Sequence, residues 1–394
     1  MYKGIYVHPR DIADEGLEVA LGRIRETGVN TVTLAVSCHA GTILRGRDRT
    51  GEMDPGADGA VCFRARPERY GHIRPRVHPM VEGFDALAEL QRAAPDLRRA
   101  AWVVCCRNRP LAEQHPEYVA RNAFGDPHPS GLCPAHPAVR DYVVNLCVDL
   151  AHGHDLAAVI LENPGWLPYD DAQRQGPAKA PRDRWAKTLL SLCFADATRH
   201  AAKAAGVDAD RLRAKARAFL ERHRGADLAV AETAAAESWC ADVVSDPEWA
   251  AFFNWRCRQV ADLVTAVKSA LPAGTALAVI PTVRRPSAAC WLEGSDLGML
   301  ARAADALEIP ADQASVADLY VDAWDVRRRA GDDAALHFML RPSHPDLADG
   351  ADPVEAVLEL KQIGMAGIAF YDCGQIRPAS LRQMKAVLTA LDGS

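Results

Sequence analysis

The sequence has no apolar run long enough to cross a bilayer, which takes roughly 20 residues. Its longest apolar runs are broken by charges or proline within a few positions. It also lacks the charged segment, apolar stretch and small-residue cleavage site of an export signal, since MYKGIYVHPR is strand-like from its start. A soluble, cytoplasmic protein with no membrane partner is therefore expected. Clustered basic charge is missing too. Lys and Arg number 46 against 52 Asp and Glu, a net charge of −6, and no basic stretch is interleaved with aromatics, so a nucleic-acid footprint is excluded. The 11 cysteines are odd in number, dispersed and never in CxxC spacing, which fits reduced thiols rather than a disulfide framework or a zinc knuckle.

What the chain does have is alternation. Eight short apolar runs are each followed by a segment of helical periodicity, the mark of parallel βα units. The first four are GIYVH (Gly4–His8), TVTLAVS (Thr31–Ser37), AAWVVC (Ala100–Cys105) and AAVILE (Ala157–Glu162). The last four are ALAVIPT (Ala276–Thr282), ADALEI (Ala304–Ile309), ALHFML (Ala335–Leu340) and GIAFYD (Gly367–Asp372). Near-continuous apolar strands are buried on both faces. Eight such units, with no glycine-rich phosphate fingerprint after the first, predict an α/β fold of the closed (β/α)8 (TIM) barrel type rather than an open sheet.

The 394 residues then form one barrel domain with two elaborations. One is a long loop after the second strand, at about 41–79, with a small hairpin expected around GAVCFR. The other is a helical insertion at about 170–246, between strands four and five, in which Asp208 is placed to cap a helix.

In such a barrel the C-terminal strand ends and the loops after them face the mouth. The candidate catalytic residues are therefore Glu162, which ends the fourth strand before NPGW, Asp372, which ends the eighth in FYDCG, and Glu308, read as ending the sixth in ALEIP. A carboxylate at an apolar rim is desolvated, which suits it to protonate a leaving group, and a second one completes glycoside hydrolysis. Glu293, in the WLEGSD loop, competes for that second role and is otherwise expected to bind substrate. Each of these acids has a bland alternative as a helix cap or an ion-pair anchor.

Substrate binding is expected of His8, Arg10, His39, Arg107, Asn108, Asn163, Arg284 and Arg341, because the guanidinium forks, amides and imidazoles match sugar hydroxyls or an oxyanion. Trp166, Trp291 and Tyr371 are expected to stack on a sugar ring. Trp102, inside a strand, is assigned to the core. His8, His39 and His344 belong to no HxH or HExxH spacing, so no metal or cofactor is assigned. Cys38, Cys106 and Cys373 lack an evident activating base and read as buried filler.

The segments GIYVHPRD, EGLEVALGRIRETGVNTVTLAVSCHAGTIL, VCFRARPERYGHIRP, HPEYVARNAFGD, LCPAHPAVRDYV, LCFADATRHAAKAAGVD and FYDCG follow one another in an order that resembles bacterial glycoside-hydrolase-like barrel proteins. The resemblance runs along nearly the whole chain. It implies the barrel fold and sugar chemistry, matches Glu162 to the acidic residue ending the family's fourth strand, and matches His39 to the histidine of its second-strand loop. Where that family carries a His-rich stretch after strand four, this chain reads PYDDAQRQGPAKAPRDRW, with no histidine. The expected activity is carboxylate acid/base hydrolysis of a glycosidic bond in a carbohydrate or sugar-like natural product. A metal-dependent sugar isomerase or epimerase and a non-catalytic carbohydrate-binding barrel are the alternatives.

Overall fold

The computed structural model describes residues 1–37, 58–169, 183–226, 230–341, 352–374 and 378–393. Eight parallel strands close on themselves: β1 (Tyr2–Val7), β2 (Thr31–Ala35), β3 (Arg98–Val104), β4 (Ala158–Glu162), β5 (Ala276–Ile280), β6 (Ala306–Ala311), β7 (Leu336–Leu340) and β8 (Met365–Phe370). Each is bonded to its sequence neighbours, and the ring is shut by β1 on β8, with Tyr2 opposite Gly367 and Ile5 opposite Phe370. The fold is a (β/α)8 barrel, as the alternation of apolar runs and helical segments predicts.

The two faces of the strands bury different things. Outward residues such as Ile5, Leu34, Val103, Leu161, Val279, Phe338 and Phe370 join one large core with the surrounding helices. Inward residues form a second cluster of Tyr6, Ala35, Ala100, Trp102, Val104, Ile160, Ala278, Ile280, Ala306 and Ala369. Because both faces are dry, the strands read as unbroken apolar runs. The inner set mixes alanines with large aromatics, so that small residues on some strands make room for rings from others. Gly4 and Gly367 take this furthest. A Cβ on Gly4 would lie 2.3 Å from Tyr2 Oη, and one on Gly367 would lie 2.8 Å from both His337 Cδ2 and Tyr2 Cβ.

One departure from the sequence expectation concerns the loop after β2. GAVCFR does not fold back as a hairpin. Ala60–Val61 pairs in parallel with Arg76–Val77, and Val61 also bridges Ser37 in antiparallel fashion. Burial explains this: Val61 and Phe63 are drawn into the core at the end of β2, so the partner strand comes from farther along the chain. Between β4 and β5 the described residues form helices Arg184–Ser191, Asp196–Ala204, Ala209–Gly225 and Glu232–Ser245, followed by the long helix Pro247–Ala270. Asp208 caps the third of these, accepting a 2.9 Å hydrogen bond from the backbone N–H of Arg211. After β3, an antiparallel ribbon of Val119–Arg121 and Pro127–Leu132 rises beside the mouth.

Candidate active site

Strand alternation decides which side chains reach the open end of the barrel. On β1 the inward series passes through Tyr6 to His8, on β3 through Ala100 to Trp102, on β4 through Ile160 to Glu162, and on β8 through Ala369 to Tyr371. Three rings converge there. Tyr6 and Trp102 have centroids 5.3 Å apart, and Tyr371 lies 5.9 Å from each. The His8 ring sits 5.8 Å from Trp102, and the Arg341 guanidinium lies 5.9 Å over the Tyr371 ring.

Glu162, 5% exposed, ends β4 against this bowl, and its Oε2 accepts a 2.8 Å hydrogen bond from Trp102 Nε1. Asp372 is also buried, immediately after Tyr371. Burial pushes the Tyr371 phenol well above its ordinary value, and the negative charges of Asp372 and then Glu162 push it further, with Arg341 opposing them. Both carboxylates therefore act on one ring.

Glu308 is corrected. It does not end its strand, because β6 continues through Ile309 and Pro310 to Ala311. It lies inside the barrel, fully buried, with its Oε1 accepting hydrogen bonds from Tyr6 Oη at 2.9 Å and Tyr2 Oη at 3.3 Å, and its Oε2 3.7 Å from His337 Nδ1. A carboxylate shared by Tyr2, which opens β1, and by His337, its register partner, sits beneath the aromatic bowl rather than in it.

Glu293, buried in the loop after β5, accepts a 2.5 Å hydrogen bond from Thr282 Oγ1 and lies 3.8 Å from Arg284 Nε. Its backbone carbonyl accepts from the N–H of Trp166 at 2.9 Å, which locks this loop to the turn after Glu162. Gly165 permits the contact, since a Cβ there would meet that carbonyl oxygen at 2.0 Å.

Other expected contact residues scatter. Asn163 directly follows Glu162 with a left-handed φ of 50°, and its buried Oδ1 has no hydrogen-bond partner. Arg341 reaches the bowl and also pairs with Asp312 at 3.4 Å. Arg10 pairs with Asp14 on the first helix, and Arg107 lies where its backbone bridges Gly131. Asn108 serves the loop itself. It caps Arg109–Gln114 by accepting from the N–H of Leu111 at 3.0 Å, and its amide donates to the Gly59 carbonyl at 3.0 Å.

The stacking expectation is corrected by burial for Trp166, whereas Trp291 is half-buried. Trp166 is 1% exposed and lies beneath the Arg256 guanidinium, so no sugar reaches its face. Trp291 packs parallel to Trp239 and edge-on to Phe253. His39, Cys38 and His344 lie outside the described residues. Among the described residues no group of three or more His, Cys, Asp or Glu side chains is placed to hold a metal ion.

Sequence reasoning passed over Tyr6 and gave Trp102 to the core alone. The signal for both was period-two alternation: Tyr6 stands two residues before His8, and Trp102 lies on the strand that pairs with β4.

No protein-family model and no curated protein matches the sequence. Solved structures do match. An α-L-fucosidase isoenzyme from Paenibacillus thiaminolyticus superposes with a TM-score of 0.57 at 13% identity, over 99% of this chain and 49% of that one. The PgaB (BpsB) glycoside hydrolase domain from Bordetella bronchiseptica gives 0.55 at 14% identity, over 98% of both chains. The catalytic domain of β-amylase from Paenibacillus polymyxa gives 0.58 at 10% identity, over 99% of this chain and 98% of that one. The chain shares the barrel fold of these three structures. It spans about half the length of the fucosidase and nearly the full length of the other two domains. In this barrel, as in others of its architecture, the mouth gathers chemistry from several strands: a hydrogen-bonded carboxylate, a second buried acid, an aromatic surface and a cation.

Proposed function

We propose that this protein cleaves a glycosidic bond in a carbohydrate or sugar-like natural product, with Glu162 as general acid/base and Asp372 as its partner. One observation carries the reading: Glu162 is buried at the end of β4 and held by Trp102, on an aromatic bowl whose Tyr371 ring also feels Asp372. The glycoside hydrolases among the structural neighbours support it at the level of fold.

The apolar CH face of a sugar ring stacks on Tyr371 and Trp102, while hydroxyls turn toward His8 and Arg341. The indole N–H occupies Glu162 Oε2, which leaves Oε1 to deliver a proton to the leaving oxygen and to take one back from water. Asp372 either activates water or attacks the anomeric carbon. Its separation from Glu162 sets the outcome, about 5 Å for retention and roughly 6.5–9.5 Å for inversion. The scheme runs on these side chains alone.

The test is turnover of a panel of aryl glycosides and oligosaccharides by the wild type and by Glu162→Gln. The variant should lose about 10³-fold in kcat with its melting temperature nearly unchanged. Equal loss of stability would make Glu162 structural. Binding of sugars by the wild type without turnover of any panel member would make the barrel a carbohydrate-binding protein.

A further inference from the structure

Two segments of the sequence share a pattern that the mouth does not use: LCPAHP, at the end of the ribbon strand Pro127–Leu132, and LCFADATRH, leading into the helix Asp196–Ala204. The fold brings their cysteines together. The Sγ atoms of Cys133 and Cys193 are 4.0 Å apart, and the Thr198 hydroxyl lies 3.2 Å from each. All three residues are buried, and the N–H of Phe194 donates to the carbonyl of Arg121, on the strand that pairs with Pro127–Leu132.

The surroundings favour negative charge on Cys193. Burial opposes ionisation there, but contact with Cys133 and Thr198 and the backbone N–H groups of Ala195 and Arg121 outweigh it and hold the thiol below its ordinary value, while Cys133 is pushed up. A compensating cation is close enough to interact with both sulfurs. Arg256 is fully buried against Trp166 and Phe253, and its Nη2 donates to the Leu292 carbonyl, whereas Nε and Nη1 have no hydrogen-bond partner. Cys257 and the Glu293 carboxylate act on this guanidinium as well, and its two unused donor atoms leave it able to balance a further negative charge on Cys193. Cys193 also lines a cleft of about 310 Å³ together with Arg121, His128, Leu167 and Ser191.

We propose that Cys133 and Cys193 form a redox-active dithiol, with Cys193 the sulfur that attacks a small hydroperoxide and Cys133 the sulfur that resolves it. The Cys193 thiolate attacks one peroxide oxygen. An S–O bond forms as the O–O bond breaks, the departing alkoxide or hydroxide takes up a proton, and the sulfur becomes a sulfenic acid, oxidised by two electrons as the peroxide is reduced. Cys133 then attacks the Cys193 sulfur, the S–S bond forms, and hydroxide leaves with the Cys133 proton as water. The sulfurs must close by about 2 Å to reach bonding distance.

The experiment treats fully reduced protein with hydrogen peroxide and maps its peptides by mass. A Cys133–Cys193 disulfide should form about 10-fold faster than Cys106 or Cys147 is oxidised, since those thiols are held neutral by burial. In Cys133→Ser the reaction should stop at a sulfenic acid on Cys193, trapped as its dimedone adduct. Should that variant fail to fold, the wild type's thiolate absorbance in the ultraviolet must still be present at neutral pH. No linked peptide, an adduct confined to other cysteines, or no thiolate absorbance at neutral pH would each overturn the proposal.

Discussion

The indole N–H of Trp102 donates a 2.8 Å hydrogen bond to the Glu162 carboxylate from the neighbouring strand, with Val104 and Glu162 in register two residues further on. Trp102 thereby fixes one oxygen of the acid, and under the proposed function its ring also stacks on the sugar, so that positioning and stacking would come from one side chain.

Trp102→Phe separates those two roles. The ring remains, the donor is lost, and a buried carboxylate oxygen gives up a charge-assisted bond. Stability to urea should fall by about 1–3 kcal/mol. On the reading that Glu162 handles the proton, kcat should drop about 10-fold or more while KM changes little. A variant that lost affinity and kept kcat would show that the indole serves stacking alone.

Beneath the bowl, Tyr6, Tyr2 and His337 surround Glu308. Glu308→Ala would strand two buried phenols and open a void in the barrel interior, so a stability loss of about 2–4 kcal/mol is expected. Tyr6→Phe should cost about 1–3 kcal/mol, as it removes the 2.9 Å donor while keeping the ring. Chemical denaturation measures both. A Glu308→Gln protein with unaltered stability and abolished turnover would return this carboxylate to the catalytic pair.

The fate of Glu308 shows where the sequence stopped being legible. Strand existence and order follow from apolar runs, because burial on both faces leaves a one-dimensional trace. Strand ends do not, because Pro310 and Ala311 carry the sixth strand past the residue that its composition suggests as last. Two residues of extra length turn a rim acid into an interior one. Trp102 reads as core from its strand position and is buried in the inner cluster, but an inward residue near the top of a closed barrel is also floor. Glu162, the last residue of its strand by composition and by hydrogen bonding alike, left no such ambiguity. Trp166 looked exposed in its loop because nothing local encodes Arg256, some 90 residues on, which covers its face.

Buried thiols and phenols set the response to alkali. Burial pushes Cys106 and Cys147 up to about 12, and Tyr2, Tyr6 and Tyr371 are raised well above their ordinary value for the same first reason. Groups raised in the folded state stay protonated there while the unfolded chain ionises at about 8.5 for Cys and about 10 for Tyr. Their contribution is therefore intact below about pH 8.5 and is lost progressively as pH rises through about 9–12. Urea midpoints taken with reductant present should hold steady from about pH 7 to pH 8 and fall by about pH 10. A midpoint that climbed over that range would contradict the burial of these groups.

Two acids compete to partner Glu162. Asp372 follows β8, on the opposite side of the ring from β4, and its charge acts on the Tyr371 phenol, as that of Glu162 does. Glu293 is held by Thr282 and by Arg284, and its backbone is fastened to Trp166. An acid on the far side of the bowl can address the opposite face of a sugar ring, whereas one fixed beside β4 supports the loop that carries the first acid. Asp372→Asn should then cost turnover on the scale of Glu162→Gln, about 10³-fold, with the fold intact. Glu293→Gln should lower the melting temperature and reduce turnover by about 10-fold at most, because its loss is felt through the Trp166 turn. If the two variants exchange these phenotypes, with Asp372→Asn active and Glu293→Gln folded but silent, the catalytic pair is Glu162 with Glu293, both on the β4–β5 side of the mouth.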